Sequence, residues 1–150
     1  MNCLTNCWWQ ILLAAVGYFA VGAVWFNPKV LGTVWQKSHN LSFTEEQMKK
    51  SMLPTMLLSF LCTIVLSAVI CYMMCHTGGS CAAPGAAGNA CCSGLGHAMC
   101  IGAMLGAGTG GGSIAMAYIY QMKPRNAYIT DIGYHVLGSV VAAVILHYTC

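Results

Sequence analysis

The chain has 150 residues, of which 58% are hydrophobic and only 6% are charged, and its formal net charge is +3. Soluble domains are about 25% charged, so this composition excludes an ordinary soluble domain, whose surface it could not cover. It predicts instead a membrane protein whose apolar surface is covered by the lipid bilayer. No cluster of basic residues is dense enough to indicate a nucleic-acid partner.

Four apolar segments are long enough to cross a bilayer as helices, since a span needs about 20 residues. They cover residues 7–26, 53–75, 97–120 and 127–148. The first segment begins with Trp8 and Trp9 and ends with Trp25 and Phe26, as is typical of aromatic side chains at the two membrane interfaces. No basic residue precedes Lys29, so we interpret this segment as a retained span and not as a cleaved signal peptide.

The pattern predicts an all-α integral membrane four-helix bundle that forms a single domain, residues 1–150. The first loop, residues 27–52, is polar, and within it "SFTEEQMKK" carries two overlapping capping boxes that predict a short helix. Pro54 then suits the first turn of the second span. The second loop, residues 76–96, is uncharged and rich in cysteine, and the third, "QMKPRN", is a tight connection.

The distribution of basic residues predicts the orientation of the bundle. All six Lys and Arg side chains lie in the first and third loops, and none lies in the termini or the second loop. Cytoplasmic loops carry an excess of Lys and Arg. We therefore expect the first and third loops in the cytoplasm, and both termini and the second loop on the non-cytoplasmic side.

Most of the ten cysteines fall on the predicted outer side. If that compartment is oxidising, the pattern favours disulfides that fasten the second loop and the termini. The disulfide candidates are Cys3, Cys7, Cys75, Cys81, Cys91, Cys92 and Cys150. Packing as small apolar side chains, or as free thiols, is one alternative.

A soft-metal site is the other alternative for the cysteines, because thiolates and imidazoles suit copper or zinc. Its ligands would come from Cys75, His76, Cys91, Cys92, His97 and Cys100. These residues show no paired CxxC motif and no recognised zinc spacing. We therefore expect neither a metal nor any other cofactor.

In the third span, Gly102, Gly106 and Gly110 recur every four residues. Small residues at that spacing let helix backbones approach closely where lipid offers no hydrophobic drive. We interpret them as a helix-packing face, and Gly138 in the fourth span as part of another. The three consecutive glycines that begin at Gly110 also weaken the helix, so a kink or a broken helix that lines a solute site is the alternative.

The fourth span carries Asp131 and His135 one helical turn apart in an otherwise apolar segment. Ionisable groups within a span face the bundle interior and find a partner. We predict that the two side chains pair with each other as a structural lock, with Tyr134 beside them. The alternative is a proton relay or a solute-binding site. Side chains at the same depth that could complete a network are Tyr118, Tyr120 and Gln121.

Four segments, "GAVWFNPKVLGTVW", "LSFTEEQMKK", "LLSFL" and "DIGYHVLGSVVAAVIL", resemble a small bacterial family of four-span membrane proteins known only as domain of unknown function 1761. The resemblance covers most of the chain apart from the second loop. It implies the same four-span topology and a bacterial inner (plasma) membrane, and it supplies no reaction or ligand. It also implies that the Trp25, Asn27 and Pro28 motif packs against the Asp131-to-His135 face.

An enzyme is the least supported class, because the chain shows no nucleophile–base pair, no phosphate loop and no paired carboxylates. We expect a non-enzymatic helical-bundle module that self-associates as a homo-oligomer or docks with other membrane proteins. The alternative is a subunit of an oligomeric small-solute, proton or soft-metal transporter or channel. That alternative requires oligomerisation, because four short spans rarely enclose a pathway alone.

Overall fold

The computed structural model describes residues 7–39, 45–77 and 94–149, with side chains in the middle segment described from Leu53 onward. All regular elements in these segments are helical, which confirms the all-α class. The helices are α1 (Trp8–Trp25), α2 (Thr33–Ser38), α3 (Glu45–Thr77), α4 (Gly94–Leu105), α5 (Gly112–Tyr120) and α6 (Arg125–Thr149). Two π-helical segments, Pro28–Gly32 and Gly106–Gly111, precede α2 and α5.

Four helical stretches of the described chain are long and apolar enough to cross a membrane. They are Trp8–Trp25, Leu53–Thr77, Gly94–Tyr120 and Arg125–Thr149. The third of them joins α4, the π-helical segment and α5 into one span. The prediction of four helices long and apolar enough to cross a membrane is confirmed.

The fourth span, α6, lies at the centre of the bundle. It packs against α1, α3, α4 and the second π-helical segment, and it is the most buried of the four spans. The core around it combines large side chains such as Tyr18 and Leu146 with small ones such as Ala14 and Ala142. Small residues allow the backbones to approach closely, which is how helices associate where lipid competes equally for apolar surface.

Pro54 lies well inside α3, so the prediction that it occupies a first turn is wrong. The short helix predicted in the first loop is instead the start of α3, which begins at Glu45 and runs on into the second span. A proline inside a helix leaves one backbone carbonyl without its donor. Pro54 stands where the apolar segment begins, so water at the membrane boundary is available to that carbonyl. Both predicted capping residues, Ser42 and Thr44, lie outside the described residues.

A π-helical segment, Gly106–Gly111, overlaps the run of three glycines that begins at Gly110, and the third span continues through it. Glycine has a low helix propensity, so a wider turn costs little more than a regular one here. Within the segment, the Thr109 hydroxyl donates a hydrogen bond to the Leu105 carbonyl at 2.5 Å. The helix is therefore locally widened where the sequence allowed a kink or a break.

The third loop is a tight cap on α5. Met122 adopts a left-handed conformation with φ of 49°, the Lys123 amide donates to the Tyr118 carbonyl at 3.1 Å, and the Met122 amide donates to the Ile119 carbonyl at 3.3 Å. This pair of bonds is a Schellman motif, here with methionine at the position that usually holds glycine. Because α6 begins directly afterwards at Arg125, the cap holds the end of the third span against the start of the fourth.

Candidate functional site: a buried polar cluster around the fourth span

The end of the first span is fastened to the fourth span by Trp25. Its indole Nε1 donates to the Thr130 carbonyl at 3.0 Å. The indole also covers Gly133, where a Cβ would lie 2.9 Å from Trp25 Cζ2. Beside it, the rings of Phe26 and Tyr134 meet edge to face with centroids 5.1 Å apart. The predicted packing of the Trp25 motif against the Asp131-to-His135 face is confirmed.

Asn27 and Pro28 turn the chain back toward the bundle. The Asn27 side chain accepts a hydrogen bond from the Lys29 amide at 3.0 Å, and Pro28 occupies the first turn of the helical segment that follows. A Cβ at Gly32 would lie 2.2 Å from the Phe26 carbonyl oxygen, so only glycine fits this close approach. The turn places α2 beside α6. It also brings His39 into a polar cluster whose other members are Tyr18, Tyr118, Asp131 and His135.

Within the polar cluster, Asp131 contacts side chains from two other elements. The Tyr118 hydroxyl donates to Asp131 Oδ2, and His39 Nε2 lies 2.9 Å from the Tyr118 oxygen and 3.5 Å from Asp131 Oδ2. Asp131 is only 8% exposed. A buried acid with a hydrogen-bonding partner and a nearby histidine satisfies the usual requirement for an ionisable group inside a span. The prediction that Tyr118 joins the network is confirmed.

His135 pairs with the first span, so the prediction of a direct Asp131–His135 lock is wrong. His135 Nδ1 lies 2.8 Å from the hydroxyl oxygen of Tyr18, whose ring is almost completely buried. Four helical steps of about 100° leave two residues some 40° apart around the axis. That rotation directs Asp131 to the third span and α2, whereas His135 meets the first span.

Tyr134 packs beside the Tyr18–His135 pair. Its ring meets the Tyr18 ring edge to face, with centroids 5.4 Å apart, and it also borders His135 at 5.0 Å. A Cβ at Gly22 would lie 3.0 Å from the Tyr134 ring, so the first span approaches this ring closely. The two other candidates for the network, Tyr120 and Gln121, are exposed and make no contact with the cluster among the described residues.

The glycine stripe of the third span is a helix-packing face, and its partner is the fourth span. A Cβ at Gly102 would lie 2.7 Å from the Ser139 carbonyl oxygen, and one at Gly106 would lie 2.7 Å from the His135 carbonyl oxygen. A Cβ at Gly110 would lie 2.8 Å from His135 Cβ. These glycines therefore serve contacts inside one chain. They allow the third span to pack closely against the part of the fourth span that carries His135.

Gly138 gives the same close approach on the opposite side of the fourth span. A Cβ there would lie 2.8 Å from the Tyr18 ring. The flat ring thus lies directly on the α6 backbone, which brings its hydroxyl to His135. Gly110 and Tyr18 enclose His135 from two sides, and its position is set by the packing of three spans.

Four buried oxygen atoms have no hydrogen-bond partner within the described residues. They are Gln10 Oε1, Ser67 Oγ, Asp131 Oδ1 and Ser139 Oγ. Ser139 lies beside Tyr18 but makes no hydrogen bond of ordinary geometry with it. The four atoms belong to three spans, and each could accept a hydrogen bond from a water molecule.

The cysteine predictions fall mostly outside this part of the chain. Cys3, Cys81, Cys91, Cys92 and Cys150 lie outside the described residues.

Cys7 is a free thiol and does not form the predicted disulfide. It packs against the apolar core at the start of α1, which accounts for its burial. Cys75 lies in the last turns of α3, and its predicted disulfide stays a prediction.

The alternative metal site is not assembled by the described residues alone. No three His, Cys, Asp or Glu side chains among them are placed to hold one ion. Of its proposed ligands, Cys75 and His76 lie near the end of α3, His97 and Cys100 lie in α4, and the other two lie outside the described residues.

Sequence reasoning missed two members of the cluster, Tyr18 and His39. Tyr18 carries a hydroxyl in the middle of an apolar span, and a polar group at that depth is itself a signal of an interior position. His39 has no comparable signal, because it lies in a polar loop where an exposed histidine is ordinary. Only the turn at Asn27 brings it to Asp131.

Comparison with known proteins gives one family match. No curated protein and no solved structure matches the chain. A family model described as protein of unknown function (DUF1761) matches residues 9–147, which includes nearly the whole of the four spans and every residue of the polar cluster. The chain therefore belongs to the DUF1761 family.

Proposed function

We propose that the protein is a non-enzymatic membrane module that associates with a second copy of itself through the outward face of the third span. The observation that carries this proposal is a second row of small residues. A Cβ at Gly108 or at Gly112 would meet nothing within 4 Å, and Thr109 and Ser113 are exposed beside them. Exposed small and hydroxyl side chains at this depth favour contact between helices, because backbones approach closely there and hydroxyls bond across the interface.

This row is distinct from the glycine stripe that packs against the fourth span of the same chain. Gly102, Gly106 and Gly110 are covered by the fourth span, whereas Gly108 and Gly112 face away from it. Gly108 and Gly112 are four residues apart, the spacing that brings two helices into register along one face. A symmetric pair, in which each copy offers the same face, is the simplest assembly of this kind.

The polar cluster supports an architectural role within this module. The hydrogen bonds between Tyr18 and His135 and between Tyr118 and Asp131 each join two spans. Such bonds between membrane helices are worth about 0.6–2 kcal/mol each, so together they fix the angle at which the spans pack. On this proposal the cluster keeps the third span oriented so that its outer face stays available.

The proposal includes an orientation and a location. Both termini face the non-cytoplasmic side, which the confinement of all six Lys and Arg residues to the first and third loops supports. The module resides in a bacterial inner membrane, which the resemblance noted from the sequence supports. Labelling of engineered cysteines in a cysteine-free variant, with a membrane-impermeant thiol reagent on intact cells, tests the orientation.

Energy transfer between copies carrying donor or acceptor fluorescent proteins at the C-terminus tests self-association in lipid vesicles. We expect transfer that depends on protein density and is lost in the Gly108→Leu/Gly112→Leu variant. The matched control is Ala20→Leu/Ala23→Leu, which makes the same small-to-large change at exposed positions of the first span. Equal transfer in all three proteins would overturn the proposed interface, and no transfer in the wild type would overturn self-association.

A second candidate is a subunit that moves protons or small solutes, favoured by the unpartnered oxygens of Gln10, Ser67, Asp131 and Ser139. Buried water molecules commonly bridge such groups. A file of hydrogen-bonded water molecules is one route for protons. Purified protein in vesicles with an internal pH-sensitive dye and an imposed membrane potential tests it. Proton flux that Asp131→Asn abolishes and His147→Gln leaves intact supports this candidate. Flux no greater than in empty vesicles excludes it for protons.

A further inference from the structure

A cleft of about 350 Å³ opens beside the third loop, between the end of α5 and the start of α6. It shares no residue with the self-association row of Gly108, Thr109, Gly112 and Ser113, and of the residues in the polar cluster only Tyr118 lines it. Its lining residues are Ala115, Tyr118, Ile119, Lys123, Arg125 and Tyr128.

One end of the cleft is cationic. Lys123 follows the left-handed Met122 in the helix cap, and Arg125 begins α6, so the backbone holds both residues in place. In the part of the chain that the structure describes, neither side chain forms an ion pair. The acid nearest in sequence, Asp131, is already engaged by Tyr118 and His39. Among the side chains that the structure describes, none occupies the two cations, so they are available to an anion from outside the protein.

The opposite end of the cleft is apolar and continues along the third span. Ile119 is 75% exposed, and Ala115 lies one turn further into the span. Tyr128 stands across the cleft, one turn into α6. Aromatic residues and cations at this level of a span are typical of the boundary between head groups and hydrocarbon. The cleft thus pairs a double positive charge with an apolar wall at the membrane surface.

We propose that this cleft binds an anionic phospholipid, with its phosphate between Lys123 and Arg125 and the start of an acyl chain along Ile119 and Ala115. Basic pockets between spans attract anionic head groups, because each nearby cation strengthens the contact by charge attraction and arginine offers paired donors to phosphate oxygens. The apolar wall distinguishes a lipid from a free phosphate ion, which shares only the head-group chemistry.

Native mass spectrometry of the full chain in a neutral detergent tests this proposal. Phosphatidylglycerol is titrated against wild type, Lys123→Gln/Arg125→Gln and a control, Lys29→Gln/Lys37→Gln, which removes two lysines outside the cleft. We expect the cleft variant to bind phosphatidylglycerol about thirtyfold more weakly, since each cation contributes about fivefold. The control should stay within about threefold of wild type, since its lysines lie outside the cleft.

Two further arms separate the possible outcomes. Phosphatidylcholine, which has no net charge, should bind wild type no better than the cleft variant, and an excess of inorganic phosphate should not displace phosphatidylglycerol. If inorganic phosphate displaces phosphatidylglycerol and the cleft shows no preference for the lipid, the proposal of a lipid site is wrong and the cleft is a simple anion site. Equal weakening in the cleft and control variants would overturn the site, since it would show attraction to overall charge. Circular dichroism of each variant verifies that the helices are retained.

Discussion

His135 Nδ1 lies 2.8 Å from the hydroxyl oxygen of Tyr18, so the histidine of the fourth span is paired with the middle of the first span and not with the acid one turn away. This contact occurs where the Tyr18 ring lies flat on the backbone at Gly138. It joins two spans through residues that are 117 positions apart in sequence. The pair therefore reports on how the first and fourth spans pack.

Replacing Tyr18 with phenylalanine should destabilise the bundle by about 1–2 kcal/mol, because a half-buried histidine nitrogen loses its partner while the ring is kept. The measurement is the free energy of unfolding in detergent, followed by circular dichroism. The control is Tyr134→Phe, since the Tyr134 hydroxyl makes no hydrogen bond within the described residues. Its change should stay below about 0.5 kcal/mol. If both variants lose the same free energy of unfolding, the Tyr18–His135 hydrogen bond does not stabilise the bundle in the way proposed.

The Asp131–Tyr118 contact should appear as a coupling energy. In a double-mutant cycle, Asp131→Asn combined with Tyr118→Phe should show coupling of about 1–2 kcal/mol, because the two side chains share one hydrogen bond. The comparison cycle combines Asp131→Asn with Tyr18→Phe and should show coupling near zero, since Tyr18 bonds His135. Stronger coupling in the comparison cycle would contradict the separate pairing of Asp131 with Tyr118 and of His135 with Tyr18.

Two glycines on opposite faces of the third span should respond in opposite directions to alanine. Gly106→Ala places a Cβ 2.7 Å from backbone atoms of the fourth span, so we expect a loss of about 1–3 kcal/mol from overpacking. Gly108→Ala meets nothing within 4 Å and should be neutral or stabilising by up to about 1 kcal/mol through helix propensity. Thermal unfolding under conditions that keep the protein monomeric measures both. A greater loss at Gly108 would contradict the packing of this span.

The cap on the third span gives a pair of methionine variants with opposite signs. Met122 is left-handed and almost fully exposed, so Met122→Gly should stabilise the protein by about 0.5–1 kcal/mol by relieving that conformation. Met116 is also exposed but lies inside α5, so Met116→Gly should destabilise by about 1 kcal/mol. The midpoint of thermal unfolding distinguishes them. Destabilisation by both changes would contradict the Schellman cap.

Several contacts of the candidate site could be predicted from sequence because they follow from helical spacing and depth. The stripe of Gly102, Gly106 and Gly110 lies on one helical face, and it is where the fourth span packs. Tyr118 was placed at the depth of Asp131 by counting residues from the third loop, and the two are hydrogen-bonded. Spacing of this kind determines which residues share a face and a level.

Spacing does not determine which neighbour a polar group chooses. Asp131 and His135 are on one face, yet about 40° of rotation between them is enough to give them different partners. His39 reaches Asp131 only because the Asn27 turn returns α2 to the bundle, and a loop histidine carries no mark of that path. The second row of glycines could not be told from the first by sequence, since both recur every four residues.

The sequence by itself determined the helical class, the number of spans and their positions, because a helical crossing needs about 20 apolar residues and a helix satisfies its own backbone hydrogen bonds in the bilayer. It also marked the glycines at which helices approach closely. Only the tertiary structure decided that α6 is central and that Gly108 and Gly112 face outward. It alone also decided that His135 pairs with Tyr18 whereas Asp131 pairs with Tyr118. These features depend on the rotation of each helix about its axis and on which helices are neighbours, and lipid is too uniform a solvent for hydrophobicity alone to set either one.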